Sequence, residues 1–225
     1  DPDRANIEER IAASIYKQAE AKRTAGDSNG AVDDFLRVAA LAPNSKARSN
    51  AEYDAASILL QNKQWERAAQ VLETFRRNYP NHELVPDATR SLAVAYLELG
   101  RGTQAAAELE RVAAREQEPV EVRRAALWQA AELYDKAASP TNAARLYASY
   151  VKQYPSPLDP AMDARQKLAD MAKAQNDVKV RSQWLDEIIR ADKSAGAART
   201  DRSKYLAAKA TIETADLPVA LFNSI

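Results

Sequence analysis

Apolar residues recur along the chain with helical spacing and at a regular interval. Four segments share an alanine, a large apolar residue four positions later and another three positions after that, which puts all three on one helix face. These segments are Ala31-Phe35-Val38, Ala68-Leu72-Phe75, Ala105-Leu109-Val112 and Ala143-Tyr147-Tyr150. The alanines at 31, 68, 105 and 143 are 37, 37 and 38 residues apart. The spacing therefore predicts an internal structural repeat.

Each repeat carries a second apolar signature upstream of the first. It consists of small or apolar residues followed by an aromatic residue or leucine, as in Leu92-Ala93-Tyr96. A short polar or glycine-containing break, such as Gly100-Arg101-Gly102, separates the two signatures. Two helices joined by a short break form an αα-hairpin. The pattern thus predicts an all-α protein built from five such hairpins and part of a sixth.

The predicted repeats cover residues 8–43, 46–80, 84–118, 121–155 and 160–193, with a partial one at 199–225. The helices are expected to pair as 8–24 with 29–42, 46–61 with 65–78, 84–99 with 103–115, 121–137 with 140–153, and 160–175 with 179–191. Pro43, Pro80 and Pro155 are expected to end helices, because the residue before a proline disfavours the helical conformation. A final helix beginning near Leu217 would be cut off by the terminus.

The same pattern predicts which residues are buried between helices and which are exposed at the end of the chain. Ala93, Ala105 and Ala131 should be buried where paired helices approach closely. Leu217, Leu221 and Phe222 should be partly bare at the unfinished end, which would favour weak self-association there. The start at Asp1 and the stop inside an apolar stretch indicate a piece of a longer protein.

Composition removes several classes of chemistry. The chain has 225 residues, no cysteine and one histidine, His82, so thiolate catalysis and cysteine-ligated metal sites are excluded. We interpret His82 as a polar loop residue and predict no metal or cofactor. The 32 basic and 32 acidic residues cancel, which argues against a nucleic-acid partner. No apolar run reaches the ~18 residues of a membrane span, so no membrane insertion is predicted for this piece.

The stretch LAVAYLELGRGTQAAAELERV, from 92 to 112, resembles the tetratricopeptide repeat. Ala93, Tyr96, Gly100, Ala105 and Leu109 stand where that motif has a small residue, an aromatic residue, a turn glycine, an alanine and an apolar residue. The resemblance implies an α-solenoid: five to six hairpins stacked into a right-handed superhelix, here a single domain over residues 1–225.

The connections between repeats resemble those of one particular branch of this family. The period exceeds the usual 34 residues, and Tyr79-Pro80 and Tyr154-Pro155 end second helices before long connections. This arrangement resembles the bacterial envelope branch of the family, which includes the Tol–Pal coordinator and outer-membrane assembly lipoproteins. It implies a periplasmic protein of envelope assembly or maintenance, with a cytoplasmic location as the alternative.

In this family the first helix of each repeat lines a concave groove that binds ligands. Carrying those positions over gives two rows: Tyr16, Tyr53, Arg90, Trp128 and Gln166, and beside them Glu20, Ser57, Val94, Glu132 and Asp170. The candidate partner-binding residues are Tyr16, Tyr53, Arg90, Trp128, Glu20 and Glu132. Aromatic residues and arginine are enriched at binding hot spots. The alternative is that Tyr53 or Trp128 belongs to the core, in which case the helix positions carried over from the family are wrong by one residue.

The lysines and asparagines with which chaperone-binding members hold a terminal carboxylate are absent. Tyr16, Glu20, Tyr53 and Ser57 occupy those positions. The expected function is a non-enzymatic scaffold that binds a protein or peptide segment, with positive charge on the partner favoured by the acidic row. Two alternatives stay open: an envelope polysaccharide- or peptide-processing enzyme domain using groove carboxylates, and a self-assembly spacer.

Overall fold

The computed structural model describes the backbone of residues 2–222 and the side chains of residues 3–216. Within these residues every regular element is a helix, which confirms the predicted all-α class. The helices are α1 (Pro2–Thr24), α2 (Ser28–Leu41), α3 (Arg48–Gln61), α4 (Trp65–Asn78), α5 (Val85–Glu98), α6 (Gly102–Ala113), α7 (Val120–Lys136), α8 (Pro140–Gln153), α9 (Leu158–Ala174), α10 (Val178–Ala195) and α11 (Asp201–Phe222), with a 3₁₀ turn at Gly196–Ala198.

Three helices differ from the predicted bounds. α1 begins at Pro2 rather than residue 8, with a proline and Asp3 in the first turn, where both are favourable. α10 continues to Ala195, because no helix breaker precedes Gly196. α11 runs unbroken to Phe222, so the separate helix expected from Leu217 is not formed. That segment lacks the turn residues that separate the other hairpins. The predicted exposure of Leu217, Leu221 and Phe222 concerns side chains outside the described residues.

The five hairpin turns share one backbone conformation. Each contains a residue with φ between +54° and +85°, and these residues recur at intervals of 37 or 38: Gly26, Lys63, Gly100, Ala138 and Asn176. The following N–H bonds back to the carbonyl five residues earlier at 2.8–2.9 Å, in the pairs Asp27–Lys22, Gln64–Leu59, Arg101–Tyr96, Ser139–Tyr134 and Asp177–Ala172. This is the Schellman closure of a helix end. It makes the repeat visible in the backbone even where glycine is missing.

The chain divides into two compact units. Unit 1 spans Asp1–Val112, and unit 2 spans Ala113–Ile225. The core of unit 1 includes the fully buried Phe35 and Phe75, and that of unit 2 includes Tyr147 and Leu185. A single continuous domain stays a prediction. None of the helices in the described residues has the length and apolarity that crossing a membrane requires.

The small residues predicted at the helix–helix contacts are buried. Ala105 and Ala131 have no exposed surface, and Ala93 is 2% exposed. The prediction for these three positions is confirmed.

A buried carboxylate ties the end of α10 to the start of α11. Asp192 is 3% exposed and accepts a hydrogen bond from the Ser203 hydroxyl at 2.6 Å. Its other oxygen lies 2.5 Å from the Arg199 guanidinium. Arg199, with help from Ser203, holds the pKa of Asp192 below its usual value.

Asp192→Asn should therefore reduce stability in a pH-dependent way. The carboxyl has a lower pKa folded than unfolded, so its stabilisation is present at neutral pH. It declines as the pH falls through the unfolded value of about 3.9 and is lost below the folded value. We expect the variant to melt a few degrees below wild type at pH 7, with the gap closing on acidification. Thermal melts from pH 7 to pH 2.5 test this, and a gap that is independent of pH would contradict it.

Candidate functional site

The predicted binding row lies at intermediate exposure. Tyr16, Tyr53, Arg90 and Trp128 are all half-buried. They lie on the first helices of successive hairpins: α1, α3 and α5 in unit 1, and α7 in unit 2. We call the side of each unit that carries these positions its first-helix face. The four side chains thus have accessible surface, and their role in binding stays a prediction.

In unit 1, Tyr16 links two first helices. Its hydroxyl donates a hydrogen bond to Asp54 of α3, and its ring meets Phe35 edge-on at a centroid distance of 4.9 Å. Burial raises the pKa of Tyr16, and the hydrogen bond to Asp54 and the negative charge of that carboxylate add to the effect. The hydroxyl is therefore held inside the unit, and the remaining surface of the ring is what a partner could touch.

Tyr53 repeats this arrangement one hairpin later. Its ring packs against Phe75 of α4 at 5.7 Å between centroids. Burial raises the pKa of Tyr53, the charge of Asp87 adds to this, and a hydrogen bond with Ser91 of α5 opposes it. Ser91 stands 37 residues after Asp54, so both tyrosines reach the same position of the next first helix.

Two charged members of the rows, Arg90 and Glu20, have partners in their own helices. Arg90 pairs with Asp87 one turn earlier, and Glu20 lies 2.8 Å from Arg23. Glu132 is half-buried. Burial raises the pKa of the Tyr147 hydroxyl, and the negative charges of Asp135 and then Glu132 add to this. The negative charge of Glu20 is therefore already partly compensated within the chain.

In unit 2, Trp128 borders two cavities. Its ring meets those of Tyr147 and Tyr150 edge-on, at centroid distances of 5.4 Å and 5.2 Å. One cavity has a volume of about 390 Å³, and Arg124, Trp128, Tyr150 and Pro160 help to line it. The other has a volume of about 420 Å³, and Trp128 lines it together with residues of α9 and α11. Trp128 is thus held by two tyrosine rings and contributes to the walls of both cavities.

Gln166, the next member of the row, is more deeply buried than the other four. It is 7% exposed and lines the 420 Å³ cavity. Its side-chain N–H donates to Asp170 at 2.8 Å, while its buried Oε1 has no hydrogen-bond partner. The amide oxygen is therefore an unused acceptor in the wall of the cavity.

The contribution of α11 to this cavity was not predicted from the sequence. The Arg202 guanidinium lies 2.7 Å from Asp163 and 5.9 Å from the centre of the Tyr205 ring, and Tyr205 is 60% exposed. Arg202 stands 39 residues after Asp163, which is about one repeat. Extending the repeat pattern into α11 was therefore the signal that could have placed Arg202 near this site.

His82 is part of a ring cluster. Its Nδ1 accepts the backbone N–H of Leu84 at 3.2 Å, and its ring meets that of Phe75 edge-on at 5.3 Å. It is half-buried and helps to order the connection between α4 and α5. Its position is that of a structural residue in a loop.

The carboxylates give little support to the enzymatic alternative. Those of the described residues with a clearly shifted pKa, namely Glu9, Asp192 and Glu213, are all shifted downward. A catalytic acid of the glycosidase kind needs the opposite shift. Among the side chains that the structure describes, no group of three or more histidine, aspartate or glutamate residues is arranged to hold a metal ion.

Solved structures similar to this chain come from several sources. A MamA protein from Desulfovibrio magneticus RS-1 is 17% identical with a TM-score of 0.44, covering 81% of this chain and 96% of that one. A tetratricopeptide repeat protein from Parabacteroides merdae is 13% identical with a TM-score of 0.47, covering 95% and 80%. YrrB, described as a TPR protein with an unusual peptide-binding site, is 16% identical with a TM-score of 0.44, covering 82% and 88%. No match was found among curated proteins.

The sequence itself matches the tetratricopeptide repeat family in three overlapping windows, residues 16–83, 53–120 and 90–157. The windows begin 37 residues apart, which is the interval of the apolar pattern and of the first hairpin turns. Together they cover residues 16–157, well over half of the chain. Proteins of this family are generally scaffolds for protein–protein interaction. This chain belongs to the tetratricopeptide repeat family.

Proposed function

We propose that this protein is a non-enzymatic scaffold that holds a segment of a partner protein on its first-helix face, with Trp128 as the main anchor. The observation that carries the proposal is that Trp128 lines two cavities, of about 390 and 420 Å³. A partner segment crossing this tryptophan would place one side chain in each cavity.

The surroundings of Trp128 suit a binding anchor. Tyr147 and Tyr150 fix its ring before any partner arrives, so little conformational entropy is lost on binding. The rim is polar, with the Arg202–Asp163 ion pair and the exposed Tyr205 at the larger cavity. An apolar centre with a polar rim is the usual composition of a protein interface.

In unit 1, we propose Tyr16, Tyr53 and Arg90 as a second contact region on the corresponding face. The tyrosine hydroxyls are engaged inside the unit, so contact would be made by the ring surfaces and by the Arg90 guanidinium. Glu20 and Glu132 would favour a partner segment with some positive charge, and binding should then weaken as salt is raised.

We propose the bacterial envelope, on its periplasmic side, as the setting. The support is the pattern of Tyr79-Pro80 and Tyr154-Pro155 at the ends of second helices, which resembles envelope members of the family. Fractionation of the native cell, with detection of the full-length protein, tests this separately from binding. Recovery in the cytoplasm would contradict the setting and leave the binding proposal standing.

The test of the binding proposal compares two tryptophan variants. The full-length protein, tagged in its native cell, is used to recover a partner, whose affinity is then measured for wild type, Trp128→Ala and Trp184→Ala. Trp184 is also half-buried but lies on α10, away from both cavities, so it controls for the loss of a large ring. Truncation of a tryptophan hot spot costs about 2 kcal/mol or more, so Trp128→Ala should weaken binding by about 30-fold. Equal affinities for wild type and Trp128→Ala would overturn the proposal.

A further inference from the structure

Unit 1 has a cavity lined mainly by its second helices. It has a volume of about 330 Å³ and lies between the second helices α2 and α4, above the start of α3. Its apolar wall comes from Leu36, Ala39 and Val71, and its polar end from Arg48 and Glu52. None of the residues in the proposed binding rows lines it.

At the next interface of unit 1, between α4 and α6, the protein's own side chains occupy the positions that correspond to the cavity. The positions 37 residues after Ala39 and Val71 are Arg76 on α4 and Glu108 on α6. Both terminal nitrogens of Arg76 bond to the Glu108 carboxylate, one of them at 2.9 Å. Where that interface has an arginine lying against the neighbouring helix, the α2/α4 interface has only the methyl group of Ala39.

The interface between α8 and α10 in unit 2 also has larger groups in this register. The residues corresponding to Ala39 and Val71 are Val151 and Trp184, and Trp184 packs against the core of unit 2. Between α9 and α10, Arg165 Nε lies 3.6 Å from a carboxylate oxygen of Glu187. Glu52 is the counterpart of Arg165, but the counterpart of Glu187 is Thr74, which has no charge.

Glu52 is consequently a buried carboxylate with spare acceptor capacity. The residue is 4% exposed. One oxygen accepts hydrogen bonds from Arg48 Nε at 3.0 Å and from the Tyr79 hydroxyl at 3.2 Å. The other oxygen is buried and has no hydrogen-bond partner. An unsatisfied buried acceptor is unfavourable, and a charged one more so, which makes a donor entering the cavity favourable.

A carboxylate of this chain already takes two guanidinium groups. Glu108 is bonded by Arg76 and also lies 3.8 Å from Arg111. By the same pattern, Glu52 can take a second guanidinium group in addition to that of Arg48. Arg48 is partly exposed at the rim, so its long side chain can shift to admit a guest.

We propose that the α2/α4 cavity binds an arginine side chain presented by a partner protein. The methylene groups would pack on Leu36, Ala39 and Val71, and the guanidinium would donate to the free oxygen of Glu52. The guest side chain would occupy from outside the register that Arg76 fills from inside one repeat later. Its guanidinium would pair with Glu52, because the counterpart of Glu108 in this interface is the apolar Val71. The site makes unit 1 a docking surface on the second-helix side, separate from the first-helix face of the proposed function.

The test uses butylguanidinium as the probe and its uncharged isostere butylurea as the comparison. Each is titrated at millimolar concentration into the isotopically labelled protein, and backbone amide shifts are followed by NMR. We expect butylguanidinium to shift the amides of Ala39, Val71 and Thr74 in a saturable way. Because the uncharged probe lacks the charge-assisted hydrogen bond, it should bind about tenfold more weakly.

Three variants make the result specific. Ala39→Arg supplies the side chain internally and should abolish probe binding, whereas Ala40→Arg adds the same charge at the exposed neighbouring position and should leave it unchanged. Glu52→Gln keeps the hydrogen-bonding shape without the charge and should weaken binding about tenfold. If Ala39→Arg fails to fold, Glu52→Gln alone decides. Equal binding of butylurea, or unchanged binding by Glu52→Gln or by a folded Ala39→Arg, would overturn the proposal.

Discussion

Replacing Phe75 by alanine should lower the free energy of unfolding by about 3–5 kcal/mol. Phe75 has no exposed surface, and its ring lies 5.2 Å from that of Tyr79, 5.3 Å from His82 and 5.7 Å from Tyr53, measured between centroids. The change removes the buried ring, leaves a cavity and removes three ring contacts at once. The last two effects add to the loss of transfer free energy.

Chemical denaturation followed by circular dichroism measures this effect. Leu41→Ala provides the control, because Leu41 is 52% exposed at the end of α2 and its truncation should change stability by no more than about 0.5 kcal/mol. A loss below about 1 kcal/mol for Phe75→Ala would mean that the hairpin of α3 and α4 does not depend on this ring cluster.

Replacing Arg76 by leucine should cost about 2–4 kcal/mol, because it leaves the carboxylate of Glu108 buried without its main partner. Glu108 is 5% exposed, and the Arg76 side chain retains 20% of its exposure. That partial access to water, together with Arg111 at 3.8 Å, keeps the expected loss below the upper end of the range for fully buried pairs.

The double variant Arg76→Leu with Glu108→Leu separates the ion pair from the packing. Two apolar side chains in place of a buried pair are often neutral or stabilising, so the double variant should recover most of the stability lost by the single one. Unfolding free energies of wild type, both single variants and the double variant complete the cycle. Additive losses would show that the two side chains do not interact in solution.

The repeat was predictable because it follows from local sequence patterns. The second helix of each hairpin has the same apolar positions on one face, and these faces begin at Ala31, Ala68, Ala105 and Ala143. The burial of Ala93 and Ala131 followed from the same periodicity. The turns were harder, since Lys63, Ala138 and Asn176 adopt a backbone conformation usually given to glycine. The helix ends on either side impose that conformation.

The burial of a side chain and the residues it contacts depend on helices that lie far apart in sequence. Trp128 and Gln166 occupy equivalent positions, yet the first is half-buried and the second is nearly covered. Both line the 420 Å³ cavity, to which α11 contributes Arg202 and Tyr205. No periodicity within α7 or α9 contains that information.

The amino-acid sequence by itself determined the helical class, the hairpin repeat, the family and the helix face that carries the aromatic row. Each of these is encoded by spacings within single helices or between adjacent repeats. Only the tertiary structure decided which positions have open space beside them. The cavity at Ala39 and the unpartnered oxygen of Glu52 exist because three helices each contribute a particular side-chain size and charge at one point. Packing at such a point depends on the volume left by neighbours, and that volume is set when the helices meet.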